Sequence, residues 1–225
     1  PARRAAYPDA ALGRVMGWFG FARPPEDEPP LHLEIPLFPL NTVLFPGGVL
    51  PLRIFEQRYL DMAATCMKKA CAFGICLIAA GEEAGGIAEP HPVGTLARIT
   101  DWEMEQLGIL QVTVRGELRF RILEKTLGAN NLLRATVEII NNDGPLPVPL
   151  ERQRLLPLLR RIAGDMGPSR IPEPHRYDDA EWVGFRITEI LPVQNLAKQK
   201  LLELEDPISR LEILEKFLDQ RKLLG

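Results

Sequence analysis

Between residues 110 and 139 apolar side chains recur at every second position, and beyond residue 150 they recur every three or four. Leu110, Val112 and Val114 alternate with Gln111, Thr113 and Arg115. Leu118, Phe120 and Ile122 alternate with Arg119 and Arg121, and Leu133, Ala135, Val137 and Ile139 with Arg134, Thr136 and Glu138. Successive side chains of a strand point to opposite faces, so each segment predicts a strand with one buried face. Phe73 to Ile78 is a continuous apolar run of strand length, which predicts a central strand followed by a loop over residues 81–86. Two further apolar runs flank Pro46-Gly47-Gly48, where proline presets φ for a turn and glycine accepts the positive φ that follows. Together these make about six strands, and a barrel or strongly curved sheet would remove their exposed edges.

The period turns helical in two places. Phe55, Tyr59 and Met62 fall at i, i+4 and i+7, which predicts a helix starting near Phe55. Residues 141–149 combine a turn signal with Pro145, Pro147 and Pro149, so strand structure must stop there. Beyond it Leu155, Leu158, Leu159 and Ile162 share one helical face, with Pro157 starting or kinking that helix. Asp178 followed by Glu181 has the form of a helix cap ahead of Trp182, Phe185 and Ile190. Asp206-Pro207 supplies an N-cap and a first-turn proline for a helix carrying Leu211, Leu214 and Leu218. The expected class is α+β: an N-terminal extension over residues 1–32, a curved β-rich part over 33–142, and a helical bundle over 143–225, the last two forming one domain.

Composition narrows the function classes. A hydrophobic content of 46% over 225 residues is enough for a real core. A formal charge of −3 provides no general pull toward nucleic acid or anionic lipid. No apolar run approaches the roughly 20 residues that span a bilayer. Arg3 and Arg4 precede a partly apolar stretch, but Arg14 interrupts it and no small-residue cleavage site follows, so a cytoplasmic protein is expected. In that stretch Leu12, Val15, Met16 and Phe19 have the spacing of a short amphipathic helix, which needs a surface to cover: its own domain, a partner or a membrane. Residues 22–32, rich in proline and acid, read as its tether. Cys66, Cys71 and Cys76 are too widely spaced for zinc pairs, and His32, His91 and His175 are scattered, so reduced thiols and no metal or other cofactor are expected.

Residues 35–62 carry a denser signal than periodicity. Pro36-Leu37-Phe38-Pro39-Leu40, Leu44-Phe45-Pro46-Gly47, Pro51-Leu52, and Ile54-Phe55-Glu56 with Arg58-Tyr59 closely resemble the opening motif of the Lon protease N-terminal domain, the substrate-binding module of that ATP-dependent protease. The resemblance continues through Val93 to Ile99, Val114-Arg115-Gly116, Arg119 to Ile122, Lys198 to Glu203 and Arg210-Leu211, covering roughly residues 33 to 222. It implies a curved β part of the PUA-like type followed by helices. The family's motor needs a phosphate-cradling G-x4-G-K-[ST] loop, which does not occur here, and its serine–lysine protease domain lies far downstream of the matched region. The expectation is therefore a stand-alone module without ATPase or peptidase activity. Its partners would be unfolded or specific polypeptides, with a protease or chaperone as a further candidate.

Within the motif, Phe38, Phe45, Phe55 and Tyr59 are expected in the core, with Glu56 and Arg58 bracing the turn and Pro36, Pro39, Pro46 and Gly47 shaping the chain. Binding is better sought at Trp102, Met104 and Leu107, large apolar side chains beside Asp101, Glu103 and Glu105 near a hairpin tip. Core packing of Trp102 stays open beside polypeptide contact. Two other classes compete with this reading. An RNA-binding reading would use Arg98, Arg115, Arg119 and Arg121 on one outward face, but Glu117 and Glu124 interleave and no clustered aromatic accompanies them for base stacking. A hydrolase reading would need Ser169 or Ser209, neither of which sits in a G-x-S-x-G elbow. A further possibility places Trp18-Phe19-Gly20-Phe21 on the surface that a substrate would use, as an autoinhibitory or dimerising arm.

Overall fold

The alternating segments form strands and the 3.6-period segments form helices. The order is β1 (His32–Leu40), β2 (Val49–Ile54), α1 (Gln57–Lys69), β3 (Phe73–Ala80), the two-residue β4 (Glu89–Pro90), β5 (Val93–Gln106), β6 (Ile109–Leu127) and β7 (Leu133–Ile140). Then follow α2 (Leu155–Met166), α3 (Ala180–Ile190), α4 (Asn195–Glu203) and α5 (Pro207–Gln220). The computed structural model describes residues 32–224, apart from residues 84, 85, 87, 107, 129 and 141–143. The amphipathic stretch at Leu12 to Phe19 and the tether up to residue 31 lie outside the described residues.

The sheet closes on itself. Strands β1, β7, β6, β5 and β3 are neighbours in that order, and β3 returns to pair with β1 in parallel. Closure removes the exposed edges that an open sheet would leave. The ring is filled by Ile35, Leu37, Cys76, Leu96, Phe120, Ala135 and Val137. Pro36 is the last β1 residue aligned with β7, and from Leu37 onward β1 aligns with β3, so this proline sits where the strand changes partner. β6 is long enough to serve three neighbours: β5 along one edge, and β2 then β7 along the other. α1 covers the outer face of β5 and the first half of β6, where Tyr59, Met62, Ala63 and Cys66 meet Ala97, Ile99, Val112 and Val114. A second core around Leu155, Leu159, Val183, Leu211, Leu214 and Leu218 holds the helices together. Val43, Phe45, Leu77, Val93, Phe185 and Leu202 join the two.

Several expectations need correction. Of the two runs flanking Pro46-Gly47-Gly48, only the second is a strand next to the turn: residues 43–45 are irregular, whereas β2 follows the turn and pairs with β6. Phe55 is not a core residue. It is 58% exposed, because β2 ends at Ile54, Glu56 is extended, and the helix starts only at Gln57. Leu118 and Arg119 exchange roles, Leu118 being exposed and Arg119 only 2% exposed. Against β5, Gly116 aligns with Ala97 and Arg119 with Thr95, so β6 carries an extra residue there and the alternation changes phase. The cap of α3 is Asp179 rather than Asp178, its Oδ1 accepting from the Glu181 amide at 3.0 Å. α4 had no sequence signal, because its buried face combines Leu202 with Gln199, whose Nε2 donates to the Val93 carbonyl at 3.0 Å.

Asp206 caps α5 as expected, accepting from the Ile208 and Ser209 amides at 3.3 and 2.8 Å, with Pro207 in the first turn. Asp206→Ala is expected to cost about 1 kcal/mol, measured by urea unfolding. The Ser209 hydrogen bonds hold the Asp206 pKa below the usual 3.8, so the folded state favours the carboxylate. The cap therefore contributes fully above the unfolded value and is lost as pH falls through the folded one. The difference between parent and variant should shrink in strong acid. A difference that persists with the carboxyl protonated would assign the effect to something other than the charged cap. Among the described residues, no helix is long and apolar enough to cross a membrane.

Candidate functional site

Strand register builds one apolar strand end. Leu52 on β2 aligns with Val112 on β6, and Val112 aligns with Trp102 on β5. Arg53, Gln111 and Glu103 form the next row. Phe55 follows Ile54, which aligns with Leu110, and Met104 follows Glu103, so both lie beyond that row toward the β5–β6 hairpin. Trp102 is 56% exposed and Met104 49% exposed. Core packing, the other role open to Trp102, does not describe this position. Leu107 lies outside the described residues. A shallow cavity of about 270 Å³ opens here, and its lining is mixed: Pro51, Leu52, Trp102 and Val112 together with Arg53, Asp101, Glu103, Gln111 and Thr113.

The same end thus offers Phe55, Trp102 and Met104 in an exposed state. Phe55 was missed as a surface residue because its i, i+4, i+7 spacing with Tyr59 and Met62 placed it on the buried face of α1. Its place directly after the β2 run was the signal for the alternative. Covering large side chains of this kind yields about 1 kcal/mol or more each, and a thioether adapts its shape to whatever covers it. The polar rows beside them mix cations and anions, so the site has no strong preference of sign. This arrangement suits reversible capture of an apolar segment.

The other motif residues serve the fold. Phe38 stacks on Tyr59 with ring centroids 4.1 Å apart, and Phe45 packs against Phe185 at 5.7 Å. Arg58 pairs with Glu56 at 2.9 Å, donates to the Asn131 and Gly86 carbonyls at 3.1 and 2.9 Å, and lies over the Tyr59 ring. It therefore ties the start of α1 to two loops. Pro39 aligns with Cys76 in the parallel β1–β3 pair, and the Pro46 carbonyl accepts from Arg186 Nη2 at 2.7 Å.

The other chemistries have less to stand on. Arg119 is buried, Arg121 pairs with Glu205 at 2.8 Å, and Arg98 binds Glu117 and the Ala70 carbonyl, so these three do not form one outward basic face. Asp101 and Glu103 are exposed, and Ser169 and Ser209 lie far from each other in sequence, on a loop and in a helix cap. Cys66, Cys71 and Cys76 are free thiols; burial, then the neighbouring Cys71, pushes Cys66 up to about 12, and burial also raises Cys76, which suppresses the reactivity of Cys66 and Cys76. Among the described residues no three His, Cys, Asp or Glu side chains converge as metal ligands would.

Comparison with known proteins bears on the family and the fold. Residues 34–220 match the family model described as the ATP-dependent protease La (LON) substrate-binding domain. Lon protease 2 of Herpetosiphon aurantiacus is 30% identical over 203 residues, covering 84% of this chain and 24% of that protein. Lon protease of Anaeromyxobacter dehalogenans is 29% identical over 134 residues, covering 59% of this chain and 16% of that protein. The chain thus spans a quarter or less of the length of these curated relatives. Among solved structures, the Lon N-terminal domain protein from Xanthomonas campestris superposes with a TM-score of 0.69 at 34% identity, covering 82% of this chain and 98% of that one. The N-terminal domain of Mycobacterium avium complex Lon protease shares the fold at a TM-score of 0.56 and 22% identity, covering 83% of this chain and 97% of that one.

Proposed function

The chain belongs to the family of the Lon protease substrate-binding domain, and from that premise we propose that it captures unfolded or otherwise accessible polypeptide segments at the β2–β6–β5 strand end. Capture consists of reversible burial of apolar residues against Phe55, Trp102 and Met104, and it requires neither nucleotide nor catalysis by this domain. The observation that carries the reading is the exposure of these three large side chains at one strand end, where Trp102 also lines a shallow cavity. Large exposed apolar groups clustered in one place mark interaction sites more often than scattered ones do. The cytoplasm is the compartment this reading assigns, in keeping with three free thiols. A protease or a chaperone is the class of partner that would act on the captured segment.

Fluorescence anisotropy of a labelled, permanently unfolded polypeptide, without nucleotide and at low and high salt, tests it. Saturable binding that survives salt is expected. Phe55→Ser, Trp102→Ser and Met104→Ser should each weaken it about five- to tenfold, the range for a moderately important interface residue. Thermal stability should barely change, because all three side chains are already half in water. Unaltered affinity in the triple variant, or unfolding in the single ones, would reject the assignment.

A further inference from the structure

The α4–α5 side of the molecule carries an apolar groove that polypeptide capture at the strand end does not use. It encloses about 440 Å³ and is lined by Leu191, Val193, Leu201, Leu204, Ile213 and Phe217, with Lys200 at its edge. Leu211, Leu214 and Leu218 already supply the buried stripe of α5, yet Ile213 on the same helix is exposed, as is Leu196 on α4. The helical core does not account for these two.

Residues preceding β1 have the matching pattern. Leu12, Val15, Met16 and Phe19 recur at i, i+3, i+4 and i+7, one apolar stripe of a two-turn helix about 12 Å long. α4, with nine residues, is about as long. The chain also enters the fold within reach of the groove. His32 aligns with Glu138 on β7, Glu138 aligns with Arg121 on β6, and Arg121 Nη2 donates to Glu205 at 2.8 Å, next to Leu204 in the groove wall. Two strand spacings are about 10 Å, so His32 and the groove are separated by about 20 Å once the arginine is included. Residues 22–31 contain Pro24, Pro25, Pro29 and Pro30, and ten residues of extended, proline-rich chain reach about 31 Å.

We propose that residues 12–19 seat as a short helix in the α4–α5 groove of their own chain, Leu12, Val15, Met16 and Phe19 facing Leu201, Leu204, Ile213 and Phe217, with residues 22–31 as the tether. The short tether favours the same chain over a second copy, because it holds the segment at an effective concentration in the millimolar range, far above that of a dilute protein. The site is separate from the strand end. α4 meets β5 at Val93 through Gln199, and Trp102 lies nine residues further along, about 30 Å for an extended strand. The seated segment therefore leaves Trp102 uncovered, which distinguishes it from an arm that blocks polypeptide capture.

Hydrogen exchange read by mass spectrometry on the full chain tests this at two protein concentrations, with Ile213→Glu and Met16→Asp as variants. Amides of residues 12–19 should exchange on the order of tenfold more slowly than free chain in the parent, equally at both concentrations. Both substitutions should remove that protection while the β5 and β6 amides keep theirs. Free-chain exchange in the parent, or protection that survives either substitution in a folded protein, would overturn the proposal. Protection that fades on dilution would overturn it in favour of a second copy as the occupant. Should Ile213→Glu disturb the fold, Met16→Asp, outside the folded core, decides alone.

Discussion

Arg119→Ala is expected to lower the free energy of unfolding by about 3–5 kcal/mol, the range for breaking a buried, fully bonded ionic contact. Arg119 Nη1 donates to the carbonyls of Leu202 and Leu204 at 2.8 and 3.1 Å, and Nη2 lies 3.7 Å from Glu181 Oε1. From the helical side Arg210 Nε donates to the Leu201 carbonyl at 2.9 Å and Nη2 to that of Leu204. Both guanidiniums cover the Phe185 ring, at 5.5 and 4.2 Å from its centroid. These carbonyls belong to the last turn of α4 and the residue beyond it, where an α-helix leaves acceptors unbonded and carries partial negative charge. One arginine from the barrel and one from α5 therefore close the same helix end. Burial holds both below the usual arginine range, and burial first, then the Arg119 charge, brings Arg210 to about 10, so Arg210 stays cationic at neutral pH.

Truncation at Arg119 leaves acceptors in a site that water reaches poorly, and it takes a cation away from Glu181. Burial already raises Glu181 above its usual 4.5, with Arg119 the first of the charges pulling it back. A carboxyl with a raised folded pKa destabilises as pH climbs through that value, so the deficit of the variant should grow from about pH 4.5 upward. Arg119→Lys keeps the charge but not the fork that reaches two carbonyls, and should lose about half as much. Urea unfolding with m-values checks all three statements. A loss below about 1 kcal/mol for Arg119→Ala would mean that the barrel and helices are not tied together here.

The difficulty of seeing Arg119 in the sequence is instructive. Alternation reports a strand with one wet face, and it worked for β7 and the first half of β6, where Val112 and Val114 face α1 and their neighbours face solvent. Further along β6 both faces are covered, Phe120 by the barrel interior and Arg119 by the helices, and an extra residue between Gly116 and Arg119 shifts the phase. No period describes such a segment. Charge misleads as well, since an arginine in a strand is ordinarily a solvated one. α4 was hidden for a related reason, its buried face toward the barrel combining Leu202 with the amide of Gln199. Local chemistry was more legible: the Asp206-Pro207 cap lies where the residues place it. At the candidate site, Trp102 and Met104 stood out as large apolar groups among acids near a hairpin. Phe55 did not, because only the β2–β6 register brings it to the same end. The α4–α5 groove is a product of packing between residues 191 and 217 and leaves no mark on either helix alone, apart from the exposed Ile213.

Gly116→Ala is expected to cost about 3 kcal/mol or more, at the upper end for overpacking, because the obstruction is backbone. Gly116 sits where the Leu44-Phe45-Pro46-Gly47 segment crosses β6. The Gly47 amide donates to the Gly116 carbonyl at 2.8 Å, and the Gly116 amide to the Gly48 carbonyl at 2.9 Å. A Cβ at Gly116 would collide with the Phe45 carbonyl oxygen and lie 3.2 Å from Leu44 Cγ. Relief requires the crossing segment to lift, yet that segment is pinned on three sides. Thr95 Oγ1 donates to the Leu44 carbonyl at 2.7 Å, Arg186 Nη2 to that of Pro46 at 2.7 Å, and Phe45 is fully buried against Phe185. Lifting it breaks buried hydrogen bonds and opens the junction between barrel and helices together. Gly47→Ala provides the contrast. Its φ of +75° strains an alanine, but nothing lies within 4 Å of the added carbon, so about 1–2 kcal/mol is expected. Urea unfolding of the two variants separates close approach from backbone strain. Equal losses would show that Gly116 is tolerant and that the motif crosses β6 with room to move. A clearly larger loss at Gly116 would show that the recognisable Leu44-Phe45-Pro46-Gly47 sequence locks barrel to helices through its close approach to β6.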